Sequence, residues 1–199
     1  MTVIELANQP PSFSWPTLHS INWHLTPSLS GTTILTLNGS LRTGWLGKLS
    51  SFLLRNEINI IGGTARKNGS LYWNASLEIE TGQETLSKLA GFSPETVLCD
   101  FEIPLATVPI KLSDFRAEYT SKHGGSFYVE ATGEDCMGFL HGILRAFSFS
   151  SMFPTEFEIT TKGNTVFDRF WLKGIGASIP IKDDMKSLHE RLHVMLGTI

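Results

Sequence analysis

The chain has 199 residues, 41% of them hydrophobic and 18% charged, with a formal net charge of −3. That length builds one larger domain or two small ones. A slightly acidic balance with no Lys/Arg cluster excludes the electrostatic footprint of a phosphate-backbone binder, so nucleic acid is not an expected partner.

The opening stretch, "MTVIELANQPPSFSWP", has neither a basic start nor a long apolar core, so no signal peptide is expected. No run approaches the roughly 18 apolar residues that cross a bilayer. A soluble cytoplasmic protein without a membrane partner is the expectation. Trp15, in this Pro-rich leading segment, is expected to pin the segment to the body. The two cysteines, Cys99 and Cys136, are too few for a disulfide framework and show no C-x-x-C spacing. They read as small apolar fillers, and no cofactor or metal is expected.

Alternating apolar residues then predict a strand over about 19–27. The turn "SLSG" (28–31) follows, and a second strand over 32–40 closes a hairpin. A glycine-bearing loop leads into an amphipathic helix at 45–56. Two strands joined through Asn68-Gly69 come next, with Gly62-Gly63 marking a bulge, and then a helix at 83–91. Residues 95–110, with Pro104 and Pro109, read as a connector with a possible strand. The same order returns: strand 112–120, turn "KHGG" (122–125), strand 125–133, helix 138–151 with Pro154 just past its end, a hairpin through Lys162-Gly163, and a helix at about 182–196. Trp23, Trp45, Trp73 and Trp171 fall on strands or a helix start, where core packing is the default.

The recurrence is an internal repeat at a constant offset of 94 residues, Gly44 to Gly138. It pairs Trp45 with Phe139, Leu46 with Leu140, Leu49 with Ile143 and Leu53 with Phe147. Upstream it pairs Ile21, Trp23 and Leu25 with Phe115, Ala117 and Tyr119. Each copy reads ββαββα. The expected fold is therefore α+β: two ferredoxin-like units in tandem, residues 1–105 and 106–199. Each would have its own antiparallel sheet with two helices on one face, and its last strand permuted to the front.

The stretch 134–174 resembles ACT domains. Asp135, Gly138, Leu140, Gly163, Val166, Asp168 and Phe170 occupy that family's pattern of an acid, a glycine loop opening a helix, a glycine turn and Val-x-Asp-x-Phe on a strand. In the first copy Gly44, Leu46 and Gly69 match, but Leu41 stands in place of the acid and Asn74 in place of the strand Asp. The resemblance implies a tandem ACT-like, non-catalytic, allosteric regulator. It would bind a small ligand, an amino acid first, at interfaces between paired domains. On this carry-over Arg42, Thr43, Gly44 and Trp45 line one site, and Asp135, Cys136, Met137, Gly138 and Phe139 line the other. Asp135 would accept an amino group and Arg42 a carboxylate. The output would pass to a protein partner or through self-association as a dimer. A ligand-free interaction adaptor of the same fold is the alternative.

A remoter alternative lies in "HERLH" (189–193), which fits the zinc-hydrolase pattern His-Glu-x-x-His on a helix. His189 and His193 share a face, but no His, Glu or Asp follows them to act as a third ligand. An upstream residue such as His123, His141 or Asp168 would have to serve. A plain amphipathic helix bearing Met185, Leu188, Leu192 and Leu196 explains the same residues. No Gly-x-Ser-x-Gly elbow or phosphate-loop spacing is present.

Overall fold

Period-two patterning produces the hairpins that open each half. In β1 (Asn22–Pro27) and β2 (Thr33–Ser40) alternate side chains face the core, and Leu35 and Leu37 have no exposed surface. Such patterning folds as antiparallel strands with one face covered. The computed structural model describes residues 21–28, 30–80, 87–89, 92–99 and 108–196. The leading segment with Trp15, residues 83–86 and 90–91 of the expected helix, the Cys99 side chain and Pro104 lie outside what it describes.

After β2 come α1 (Trp45–Arg55), β3 (Ile60–Asn68), β4 (Tyr72–Ile79) and α2 (Pro94–Cys99). The second half has β5 (Leu112–Thr120), β6 (Ser126–Glu134), α3 (Phe139–Phe149), β7 (Phe153–Lys162), β8 (Thr165–Lys173) and α4 (Lys182–Met195). Residues 87–89 are helical, within the span where a helix is expected. Pro94–Cys99 is a helix where the sequence suggests a connector with a possible strand. Pro154 does not end α3. It sits inside β7, and α3 closes instead through Ser151 in a left-handed conformation, with the Met152 amide donating to the Phe147 carbonyl at 3.0 Å. The first half closes α1 the same way, through Glu57 and an Ile58-to-Leu53 bond of 2.9 Å.

The expected pair of separate ferredoxin-like units does not form. All eight strands join one antiparallel sheet in the order β1-β2-β4-β3-β7-β8-β6-β5. The reason is the open edge that each half carries at β3 or β7. An unpaired edge presents free N–H and C=O groups, and these two satisfy each other. Their seam runs from Gly62 opposite Thr160 to Arg66 opposite Glu156, with Thr64 opposite Glu158 at its centre. Thr64 and Glu158 are equivalent positions of the repeat, so an approximate two-fold axis passes through this pair.

The helices share one core with the buried face of the sheet. Leu49 and Leu53 of α1, Ile143 and Phe147 of α3, and Leu188 and Leu192 of α4 belong to the same buried cluster as Leu77, Val129, Phe157 and Phe170. The opposite face is solvated. There cross-strand charges neutralise one another, as in Arg169 with Glu130 (2.9 Å) and with Glu158 (3.4 Å).

The repeat holds at 94 for α1 and α3, but its offset is not constant along the chain. The turn after Asn68 has one residue more than the turn after Lys162, because Asn68 pairs with Tyr72 whereas Lys162 pairs with Thr165. In the leading strands Trp23 pairs with Leu37 and Phe115 with Ala131, so Phe115 answers to Trp23 rather than to Ile21.

Candidate functional site

Each glycine loop opens the helix of its own half and faces the far end of the other half's helix. Gly44 (φ 86°) and Gly138 (φ 87°) are left-handed residues immediately before α1 and α3. The two-fold therefore generates two clefts over the seam, one per loop.

The second-half loop contributes Asp135, Gly138 and Phe139 to the first cleft. Across it stand Ser50 and Leu54 of α1, followed by Asn59. His141 of α3, Thr161 of β7 and Asp168 of β8 complete its polar lining. It encloses about 20 Å³, enough for one water or one ammonium-sized group. Cys136 and Met137 do not line it.

Asp168 dominates this cleft. Its residue is 1% exposed, and neither carboxylate oxygen has a hydrogen-bond partner. Burial raises its carboxyl well above the usual range, and the neighbouring Asp135 pushes the same way. The Thr160 backbone N–H pulls in the opposite direction without reaching hydrogen-bond geometry. Leaving such a carboxylate unpaired costs several kcal/mol, so the group takes up a proton or a counter-charge.

His141 adds a second acceptor. Burial lowers its pKa, and Arg145 lowers it further, so the ring is neutral at pH 7. Ser50 Oγ spends its proton on the Gly47 carbonyl at 2.9 Å, so it accepts from His141 Nδ1 at 3.2 Å. That fixes the proton on Nδ1 and leaves Nε2 as a lone-pair acceptor, buried and without a partner. Thr161 Oγ1 is likewise buried and unpartnered. Asn59 Nδ2 approaches Asp135 Oδ2 at 3.5 Å. The cleft thus holds more acceptors than donors, and an ammonium group is its chemical complement.

The counterpart cleft has the opposite character. Thr43, Gly44 and Trp45 line it with Trp73, Lys67, Ser148 and Phe153, and it encloses about 60 Å³. Trp45 meets Trp73 edge-on at 5.3 Å and lies 6.4 Å from Phe157. Lys173, on its wall and 8% exposed, donates to the Gly125 carbonyl at 2.7 Å and the His123 carbonyl at 3.2 Å. Arg42 is exposed and lines neither cleft. Trp45 and Phe139 are each 3% exposed and belong to the core.

Cys136 is half-buried; burial and the nearby Asp135 and Glu134 carboxylates hold its thiol above the ordinary value, away from nucleophilic chemistry. The two HERLH histidines pack on the edge strand: the His189 and His193 rings stand 4.6 Å apart and meet Phe115 edge-on at 5.3 and 5.0 Å. Among the described residues no group of three or more His, Cys, Asp or Glu side chains is placed to hold a metal ion. Among them, too, no helix is long and apolar enough to cross a membrane.

Sequence reasoning placed Asp168 in a pattern but not in a site, and it missed Ser50, Asn59 and Thr161. A signal for Asp168 was present: it occupies the inward phase of Val166-x-Asp168-x-Phe170-x-Leu172, where an acid is out of place. Compared with family models, with curated proteins and with solved structures, the chain matches none of the three.

Proposed function

We propose that the chain is a non-catalytic regulatory protein that binds a small ligand bearing a primary amino group, an amino acid first, at the cleft between its two halves. The observation that carries this reading is Asp168: a carboxylate 1% exposed, with no partner on either oxygen, at the floor of a cleft lined by further acceptors. The likeness of residues 134–174 to ACT domains supports an amino acid as the first class to try. In this reading the ammonium enters the closed end beside Asp168 and Asp135, and the rest of the ligand lies toward the glycine loop and Asn59.

Because the cleft is built from both halves, a ligand there favours one setting of α1 against α3. That bias is the physical basis of a regulatory output, passed to a protein partner or to a second copy of the chain. Calorimetry and thermal unfolding with a panel of amino acids and simple amines test the reading. A true ligand at a hundredfold excess over its Kd adds roughly 2.7 kcal/mol of stability, and Asp168→Asn abolishes the gain. Absence of stabilisation by every amine removes the proposal.

The small enclosed volume, about 20 Å³, favours a second reading: an interaction adaptor in which a protonated Asp168 meets only one water. The same panel separates the two, since the adaptor responds to no ligand.

A further inference from the structure

The approximate two-fold that relates the two clefts does not carry their charges across. Leu41 and Lys67 of the first-half cleft stand where the second-half cleft has Asp135 and Thr161. Strand register fixes the second equivalence: Lys67 pairs with Trp73 in β4 as Thr161 pairs with Val166 in β8. Among the described residues that line them, the Asp168 cleft has two acids and no Lys or Arg, whereas its counterpart has two lysines and no Asp or Glu. The two clefts share no residue.

Lys173 already bridges the carbonyls of His123 and Gly125. Lys67 has no such partner among the described residues. It sits on the core-facing phase of β3, two residues past buried Ala65, and is itself half-buried. Burial lowers its pKa, and no carboxylate acts in the opposite direction. Helix α1 starts at the same cleft with no side-chain cap and no acid in its first turn. Leu46 and Gly47 of that turn line the cleft, and their N–H groups lie too early in the helix to find an intrahelical acceptor. The rest of the lining is mainly apolar, with Trp45, Trp73, Leu144 and Phe153. The enclosed volume is about 60 Å³. That exceeds the roughly 10–15 Å³ that holds one water and falls short of the roughly 150 Å³ that holds benzene. One free ammonium in a small apolar enclosure complements a monoanion on a short hydrocarbon chain. A phosphate dianion calls for several charged donors at once.

We propose that the cleft of Lys67, Trp45 and Trp73 is a second binding site, for a short-chain carboxylate, with the carboxylate on the Lys67 ammonium and the first N–H groups of α1 and the chain against the two indoles. It does not rest on amine binding at the Asp168 cleft, since both its residues and the charge of its ligand are different.

The test is a heteronuclear NMR titration of the full chain with sodium propionate. Propionamide and propylammonium are the head-group controls, and sodium phosphate and sodium chloride are the anion controls. We expect propionate to give saturable shifts at the Trp45 and Trp73 indole N–H groups and the Leu46 and Gly47 amides, with every control at least tenfold weaker. Lys67→Met removes an uncompensated charge from a half-buried position and should weaken propionate binding at least tenfold, whereas Lys67→Arg should retain it. The comparison of head groups on the wild-type chain decides the matter even where a variant fails to fold. Propionate shifts no larger than those from chloride, equal binding of propionamide, tighter binding of phosphate, or undiminished binding by a folded Lys67→Met would each overturn the proposal.

Discussion

Asp168 occupies in β8 the place that Ala75 occupies in β4. Ala75 stands between Leu37 and Ala65, Asp168 stands between Ala131 and Ile159, and those flanking residues are repeat equivalents. One half thus buries a carboxyl group in its cleft at the position where the other half carries a methyl group, and the counterpart cleft is lined instead by Trp45 and Trp73.

That charge makes stability depend on pH. The folded protein raises the Asp168 pKa, so the native state holds a proton that the unfolded chain releases. The penalty is absent below the unfolded carboxyl pKa of about 3.9 and accumulates as pH rises through the raised folded value. Asp168→Asn is therefore expected to be as stable as wild type in acid and increasingly more stable toward pH 8. Urea unfolding of both proteins across that range measures the divergence. Parallel curves would mean that Asp168 finds a partner in solution.

The same linkage predicts how an amine binds. An ammonium ion requires ionised Asp168, so binding should expel a proton and strengthen as pH rises through that group's folded pKa. Calorimetry in two buffers of different ionisation enthalpy reads the proton count directly. An identical heat in both buffers would place the amine elsewhere.

The two loop glycines should respond differently to a side chain. A Cβ on Gly138 would lie 3.1 Å from Leu54 Cδ1 and 3.3 Å from Val108 Cγ1, whereas a Cβ on Gly44 meets nothing within 4 Å. Both positions carry the cost of a positive φ, about 1–3 kcal/mol. Gly138→Val adds overpacking of roughly the same size. Chemical denaturation should rank Gly138→Val clearly below Gly44→Val. A tie would show that Leu54 yields freely.

How far the chain could be read in advance depends on what each signal constrains. Asn68-Gly69 and Lys162-Gly163 announce hairpins through local turn chemistry, and both are found. The extra residue in the first turn carries no such mark. Counting at 94 put Asn74 opposite Asp168, yet Asn74 is exposed on the solvated face and Ala75 is the buried match. A one-residue slip in a strand exchanges its two faces. The joining of β3 to β7 was equally silent, because Ile60–Asn68 looks the same whether its edge meets water, another chain or β7. Trp45 and Phe139, which follow the loop glycines, line their clefts and are also the first core residues of their helices.

His189→Ala should leave the metal content of the purified chain unchanged and cost about 1 kcal/mol, the scale of an aromatic pair, because its ring packs on Phe115 and His193. Elemental analysis with thermal unfolding checks both. Stoichiometric zinc in wild type that disappears in the variant would restore the metal reading.

Lys173→Met should be more costly than its size suggests. The ammonium bridges the carbonyls of His123 and Gly125 inside the protein, and a buried acceptor left unmet costs about 1–3 kcal/mol. Equilibrium unfolding should show a loss in that range, and a neutral result would mean that water replaces the amine.

The seam is self-complementary. Because Thr64 faces its own counterpart Glu158, every pairing from Gly62–Thr160 to Arg66–Glu156 recurs when the two partners exchange places. A contact with that property is the contact two identical half-length chains would make on meeting edge to edge. Fusing them into one gene holds the partners at a fixed local concentration and frees each copy to diverge. The acid at 168 and the indoles at 45 and 73 mark where the two halves differ, so the chain has a sense of direction that a symmetric homodimer lacks.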